Sequence, residues 1–147
     1  MAISRTGLVP MLGAHAALEG ARLTTSAGIR AIAAKGTALG TYAIELFDAW
    51  LGACGLVLAS PRDGLRRTSH VTLRHPQAWQ LWQAWRSAGV MADLLPPDLL
   101  RIGLAPLYTR YVDVYEGFRR LREIVSAQTH EGFPAERVEG TQNVKDM

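Results

Sequence analysis

Arg101 is the residue whose type and position point most directly to chemistry. It lies in LLRIGLA (99–105), which the sequence predicts to be a buried strand. A charge inside a buried strand costs roughly several kcal/mol unless it meets an anion. The guanidinium group suits a carboxylate because it donates two parallel hydrogen bonds to it. We therefore expect Arg101 to hold a carboxylate, supplied either by a ligand or by the protein itself.

Two acidic residues, Asp93 and Asp98, precede Arg101 in the chain and offer an internal carboxylate. Pairing with either one would make Arg101 a structural residue rather than a binding residue. The residues by themselves leave the ligand interpretation and the ion-pair interpretation open.

The other chemically capable side chains indicate no catalytic or metal site. His70 and His75 are the only close histidine pair and have no cysteine nearby, so no zinc site is predicted. The Ser69–His70 adjacency is not a catalytic dyad, because such partners are assembled by the fold. His70 is expected to be a polar residue on a sheet face; its functional interpretation is a contact at the mouth of a site. Lys35 is interpreted as a solvated helical residue and Cys54 as a packing residue. Neither a GxGxxG nor a GxxxxGK phosphate loop is present.

Composition favours one globular domain in a reducing compartment. The chain has 147 residues, 48% of them hydrophobic, and a net charge of +3, which suits a single core. Arginine clusters occur without a nucleic-acid-binding motif, so no nucleic-acid partner is predicted. A lone cysteine allows no internal disulfide and favours the cytoplasm. Apolar stretches fall short of the roughly 20 residues that span a bilayer, so no membrane association is expected.

Hydrophobic periodicity predicts the element order α-α-β-β-α-β-β-α. The fold class is therefore α+β, with a small, mostly antiparallel sheet packed against helices on one face. The predicted helices are 10–23, 26–51 with Ser26 as its cap, 76–89 and 110–127; the predicted strands are 56–60, 68–74, 90–95 and 99–105. Residues 1–127 form the predicted domain, and the polar residues 128–147 are expected to be a disordered tail.

Two spacing patterns within the helices predict packing. Gly28, Gly36 and Gly40 weaken the second helix and would let a neighbouring segment approach it closely. Trp79, Trp82 and Trp85 recur three residues apart in the third helix. Such a stripe can stack on a cofactor, but a core or interface face is the interpretation we favour.

Several segments, taken in order, resemble the C-terminal part of kynureninases, pyridoxal-phosphate enzymes of the aspartate-aminotransferase fold. The resemblance runs from about Pro10 to Val125. The matching segments are PMLGAHAALEGARL, GIRAIAAKGTALGTYAIELFDAW, ASPRDGLRRTSHVTLRHP and GVMADLLPPDLLRIGLAPLYTRYVDVY. The last one resembles the family's closing motif, Arg-x-x-x-x-Pro-Leu-Tyr.

The resemblance implies a role for Arg101 and a cofactor. Kynureninases cleave kynurenine or 3-hydroxykynurenine to an anthranilate and alanine, and Arg101 matches the arginine that binds the substrate α-carboxylate. In the entry loop RTGLVP, Leu8 occupies the slot of a cofactor-contacting Thr or Asn, and Thr6 is a tentative substitute. Leu95 stands where the family often has Arg. The Schiff-base lysine belongs to a large domain that these residues do not match, and Lys35 matches a helix position instead.

The leading hypothesis is therefore a kynureninase-type small domain that binds an amino-acid-like substrate. Alone it is expected to be inactive and not to bind pyridoxal phosphate, because the groups that anchor the cofactor lie elsewhere. A homo-oligomer or a separate large-domain chain is the expected partner. The alternative hypothesis is a non-enzymatic module, derived from that domain, that binds a small ligand or another protein.

Overall fold

The computed structural model describes residues 11–136, which contain four helices and four strands. The helices are α1 (Met11–Ala27), α2 (Ile29–Trp50), α3 (Ala78–Ser87) and α4 (Tyr111–Ser126). The strands are β1 (Val57–Leu58), β2 (His70–Arg74), β3 (Asp93–Leu95) and β4 (Leu99–Gly103). Short 3₁₀ turns occupy Gly64–Arg66 and Thr129–Gly132. This order and the α+β class confirm the prediction from sequence.

The sheet is antiparallel throughout and has the strand order β1-β2-β4-β3. β4 is therefore an interior strand, hydrogen-bonded on both sides. Its Arg101 lies opposite Thr72 of β2 on one side and opposite Asp93 of β3 on the other. Because side chains that lie opposite each other share a face, these three residues project from the same side of the sheet.

The two faces of the sheet differ in what covers them. One face is buried and carries Val71, Leu73, Leu100 and Ile102, which belong to the same core as the apolar residues of α2, α3 and α4. The opposite face carries the alternate residues, none of which is classed as buried. Those open-face residues are Val57, His70, Thr72, Arg74, Asp93, Leu95, Leu99, Arg101 and Gly103. We call this side the open face.

Close contact between α2 and the loop before β2 confirms the prediction for Gly36 and Gly40, but not for Gly28, where an added Cβ would meet no described atom within 4 Å. A Cβ on Gly36 would lie 2.5 Å from Ser69 Oγ, and a Cβ on Gly40 would lie 2.8 Å from Arg67 Nε. A real Cβ does not approach other atoms so closely, so both positions need glycine for the present packing. The loop thus lies directly against the helix backbone.

The beginning of the described chain differs from expectation in two ways. Ser26 lies inside α1 rather than capping α2, and the residue before α2 is Gly28 with φ of 79°. A positive φ suits glycine, so the break between the helices is made by backbone conformation rather than by a side-chain cap. No residue of α1 is buried. Within residues 11–136, no helix has both the length and the apolar character needed to cross a membrane.

The end of the described chain also differs from expectation. The sequence predicts disorder from residue 128 onward, yet residues 129–136 lie along α3. Gln80 Nε2 donates to Phe133 O at 2.9 Å, Gln83 Nε2 donates to Pro134 O at 3.0 Å, and His130 is 3% exposed. The packed unit therefore extends beyond residue 127, while 137–147 fall outside the described residues.

Candidate functional site

Arg101 projects from the middle of the open face and is not buried. Its side chain retains 41% of its accessible surface, whereas the adjacent Leu100 and Ile102 retain 0% and 8%. The expectation of a charge inside a buried strand was therefore wrong. β4 is buried on one face only, and the alternation of the strand turns Arg101 to the other face.

Asp93 is the carboxylate partner of Arg101 among the described residues. Arg101 Nη2 donates to Asp93 Oδ2 at 2.8 Å, and Arg101 Nε donates to the same oxygen at 3.1 Å. Asp98 is engaged elsewhere, with its Oδ2 3.1 Å from Nε of Arg74. In the described part of the chain, Arg101 Nη1 has no acceptor, so the guanidinium keeps hydrogen-bonding capacity toward an incoming anion.

Toward Gly103 the open-face neighbours of Arg101 are small or polar, while Leu99 and Leu95 lie on the same face in the other direction. Thr72 lies opposite Arg101, and His70 lies opposite Gly103, two residues further along β4. His70 is exposed and its Nδ1 is 3.0 Å from Thr68 Oγ1, which fixes the ring orientation. The side chain is thus on the sheet face, as the sequence predicts for His70. Thr72, Gly103 and His70 therefore place small or polar groups on this side of the guanidinium.

A second polar region lies where the C-terminal residues meet the start of α3. A cavity of about 330 Å³ there is lined by residues that include Cys54, His75, Gln77 and His130. Gln77 N donates to His75 Nδ1 at 3.1 Å, and His130 Nε2 lies 3.1 Å from Gln77 Oε1. Burial lowers the pKa of His75 below its ordinary value, and the neighbouring His130 lowers it further. These contacts join the C-terminal segment to the start of α3.

No metal centre emerges from the residues that the structure describes. Among residues 11–136, no three His, Cys, Asp or Glu side chains are arranged to hold a metal ion. The histidine pair of the sequence is split, because His75 is buried against His130 with ring centroids 5.8 Å apart, while His70 is exposed on the open face. Cys54 Sγ contacts Trp50 O at 3.3 Å, which agrees with a packing role.

Arg67 is a prominent arginine that sequence reasoning did not single out. Its Nη1 donates to the carbonyl oxygens of Pro61 and Arg62, each at 3.0 Å, and its Nη2 donates to Thr41 Oγ1 at 3.2 Å. The guanidinium thus fastens the loop before β2 to α2. Gly40 was the available signal, because a helical glycine at a contact point leaves space for a large neighbour.

The cavity beside His75 does not fit a pyridoxal-phosphate site. The cavity lining contains no Lys or Arg to bind a phosphate or form a Schiff base. Lys35 lies in α2, away from the cavity lining. Thr6 and Leu8, the positions matched to the family's cofactor-contacting loop, fall outside the described residues.

The tryptophan stripe of α3 serves packing, as favoured from the sequence. Trp85 is 1% exposed, and its Nε1 donates to Gly117 O at 3.0 Å. Trp82 Nε1 donates to Ala92 O at 2.7 Å, and its ring stacks on that of Trp79 with centroids 5.3 Å apart. Trp85 thus connects α3 to α4, and Trp82 connects α3 to the segment before β3.

Comparison with known proteins gives a consistent match. The profile of the kynureninase C-terminal domain matches residues 32–121. Kynureninase of Pseudomonas fluorescens is 36% identical over 95 residues, which are 65% of this chain and 23% of that protein. Kynureninase of Geobacillus thermodenitrificans is 28% identical over 130 residues, 88% of this chain and 29% of that protein. Kynureninase of Burkholderia mallei is 34% identical over 100 residues, 68% and 24% of the two chains.

Each match covers only part of the relative's length. The chain spans about a quarter of the length of the curated relatives it matches. The matched profile covers β1 to β4, including Arg101 and Asp93, and most of α4. The open face and its arginine therefore lie inside the region of similarity.

Proposed function

Because the chain belongs to the kynureninase C-terminal domain family, we propose that it forms the substrate-carboxylate-binding part of a kynureninase-like hydrolase. The whole reaction would convert kynurenine or 3-hydroxykynurenine to an anthranilate and alanine in tryptophan catabolism. The observation that carries the proposal is the position of Arg101 on an uncovered sheet face, with Nη1 unengaged among the described residues.

In this proposal Arg101 binds the α-carboxylate of the substrate. The Nη1 and Nη2 end of a guanidinium matches the spacing of two carboxylate oxygens, which gives direction as well as affinity. A substrate held by its carboxylate on β4 would extend over neighbouring open-face positions, which include His70 at the start of β2. The role of Arg101 is to bind and orient, and no described residue is assigned a proton-transfer step.

The remaining chemistry is assigned to a domain outside the residues matched here. Pyridoxal phosphate, on which the kynureninase family depends, supplies the electron sink of such reactions when it is bound. We propose that a separate cofactor-binding chain covers the open face, or that copies of this chain associate around it. The exposed apolar residues Met11, Leu12 and Leu23 of α1 agree with a surface that another protein covers.

A ligand with and without its carboxylate tests the proposal directly. The purified chain is titrated with L-kynurenine and with its methyl ester, and binding is followed by NMR chemical shifts. We expect L-kynurenine to bind and the ester to bind at least about tenfold more weakly, because the ester cannot accept a charge-assisted pair. Arg101→Gln should abolish the preference, whereas Arg74→Gln, a control arginine on the same face, should retain it.

Other outcomes would count against the proposal. Equal binding of acid and ester, or an unchanged preference in Arg101→Gln, would remove Arg101 from substrate recognition. Anthranilate formed by this chain alone with added pyridoxal phosphate would contradict the need for a separate cofactor domain. Carboxylate binding that persists without anthranilate, after addition of the cofactor-binding part of a kynureninase, would favour the alternative of a non-enzymatic ligand-binding module.

A further inference from the structure

Asp93 engages Arg101 along one edge of the guanidinium only. A single carboxylate oxygen, Oδ2, accepts from both Nε and Nη2, at 3.1 and 2.8 Å. These bonds use the Nε hydrogen and one Nη2 hydrogen. Three of the five N–H groups of the guanidinium therefore stay available, and two of them form the end-on fork between Nη1 and Nη2.

We infer that Asp93 is a positioning residue, which fixes the guanidinium of Arg101 so that this end-on fork faces the substrate carboxylate. The inference rests on the proposed function, since it assigns Asp93 a part in the same binding site. Asp93 does not compete with the ligand for hydrogen bonds in this arrangement, because the two carboxylates would use different edges of the guanidinium.

The strand register brings the two side chains together at their base. Asp93 and Arg101 are Cα partners in the antiparallel pair of β3 and β4, so their side chains start side by side on the same face. A free arginine side chain has many rotamers, and binding must restrict them at an entropic cost. An aspartate that restricts them beforehand lowers this cost for every carboxylate that binds.

The exposure of the pair argues against stability as its main role. The side chains of Arg101 and Asp93 keep 41% and 59% of their accessible surface. Ion pairs in such solvent contact contribute little to folding. The geometry therefore fits an orienting role better than a structural one.

A matched control exists on the same face of the sheet. Asp98 pairs with Arg74 at 3.1 Å, and both side chains are partly exposed. The experiment compares Asp93→Asn, Asp93→Glu and Asp98→Asn with the parent chain. L-Kynurenine affinity is measured by NMR titration, and the exchange of the Arg101 Nε hydrogen with water is measured in arginine labelled with ¹⁵N. The variant Arg101→Gln assigns that resonance and shows whether Arg101 binds the ligand at all.

We expect Asp93→Asn to weaken L-kynurenine binding by about tenfold, a factor worth about 1.4 kcal/mol. The same variant should accelerate exchange of the Arg101 Nε hydrogen. Asp93→Glu should recover part of the affinity, since it restores the carboxylate, and Asp98→Asn should behave as the parent. Partial recovery by glutamate distinguishes positioning from general damage to the fold.

Failure of this inference is distinguishable from failure of the proposed function. If Arg101→Gln loses binding while Asp93→Asn binds as well as the parent or more tightly, the inference is overturned and the proposed function stands. If the parent chain does not bind L-kynurenine, or Arg101→Gln binds unchanged, the proposed function fails. In that case the hydrogen-exchange measurement tests by itself whether Asp93 positions the guanidinium. An unchanged Arg101 Nε exchange rate in Asp93→Asn overturns the inference.

Discussion

Leu100 and Arg101 are adjacent in β4 but should differ sharply in their contribution to stability. The first side chain is completely buried, and the second keeps 41% of its surface. Truncating a buried leucine to alanine costs about 2–5 kcal/mol because it leaves a cavity. Removing one partner of an exposed ion pair costs about 0–1 kcal/mol. We therefore expect Leu100→Ala to be the far more destabilising change.

The measurement is equilibrium unfolding in urea followed by tryptophan fluorescence. Trp85 is 1% exposed, so its emission should change when the core opens. Arg101→Gln retains much of the aliphatic part of the side chain and removes the charge. We expect it to shift the midpoint only slightly, with an unchanged dependence on urea concentration, while Leu100→Ala shifts the midpoint strongly.

Two results would refute this reasoning. A loss above about 2 kcal/mol in Arg101→Gln would show that the charge is held in a desolvated pair, as the first interpretation of the sequence supposed. A loss below about 1 kcal/mol in Leu100→Ala would contradict the assignment of the buried face of the sheet.

Three further predictions concern the ends and contacts of the domain. Deleting residues 128–147 should lower the free energy of unfolding by about 1–3 kcal/mol, because hydrogen bonds and apolar contact are lost. Calorimetric scans measure this loss, and the same scans of a chain lacking only residues 137–147 test the contribution of the residues outside the described part. The pKa of His75 is lower in the folded protein than the ordinary histidine value of about 6.5. The contribution of neutral His75 to stability is therefore complete above about pH 6.5 and is lost as the pH drops through the lower pKa of the folded state. Thermal melts from pH 8 to 5 should show this loss of stability, and the loss should be smaller in His75→Asn. Gly20→Ala should raise the free energy of unfolding by about 1 kcal/mol, because alanine favours the helix and no other described segment lies near this position. Gly40→Ala should bring no such gain, because its Cβ would meet Arg67. Paired urea titrations of the two variants measure the difference.

Local periodicity predicted α2, β2 and α4 well because their apolar residues recur at helical or strand spacing. It predicted α1 and β1 less well, because α1 has no buried residue and β1 is only Val57–Leu58 of the predicted strand 56–60. In β2, Val71 and Leu73 alternate with His70, Thr72 and Arg74, and only the two apolar residues are buried. In β4 the same rule was available, since Leu100 and Ile102 alternate with Arg101 and Gly103. The run of apolar residues around Arg101 suggests a strand buried on both faces, and for that reason the burial of the Arg101 charge was predicted wrongly.

The features that sequence reasoning missed depend on contacts between distant parts of the chain. Gln80 binds the carbonyl of Phe133, 53 residues away, and a polar C-terminal segment carries no local sign of such a partner. The choice of Asp93 over Asp98 depends on the register of β3 with β4, which brings Asp93 level with Arg101. Neither outcome is encoded in spacing along one element.

The interior position of β4 has a consequence for motion around Arg101. Both neighbours of β4 hydrogen-bond to it, so its amide hydrogens should exchange with solvent only when much of the sheet opens. β3 is an edge strand of three residues and can fray on a faster timescale. Fraying would release Asp93 while the backbone of Arg101 stays in place. The Arg101 side chain would then alternate between one rotamer, bound to Asp93, and many rotamers, while its backbone stays in place.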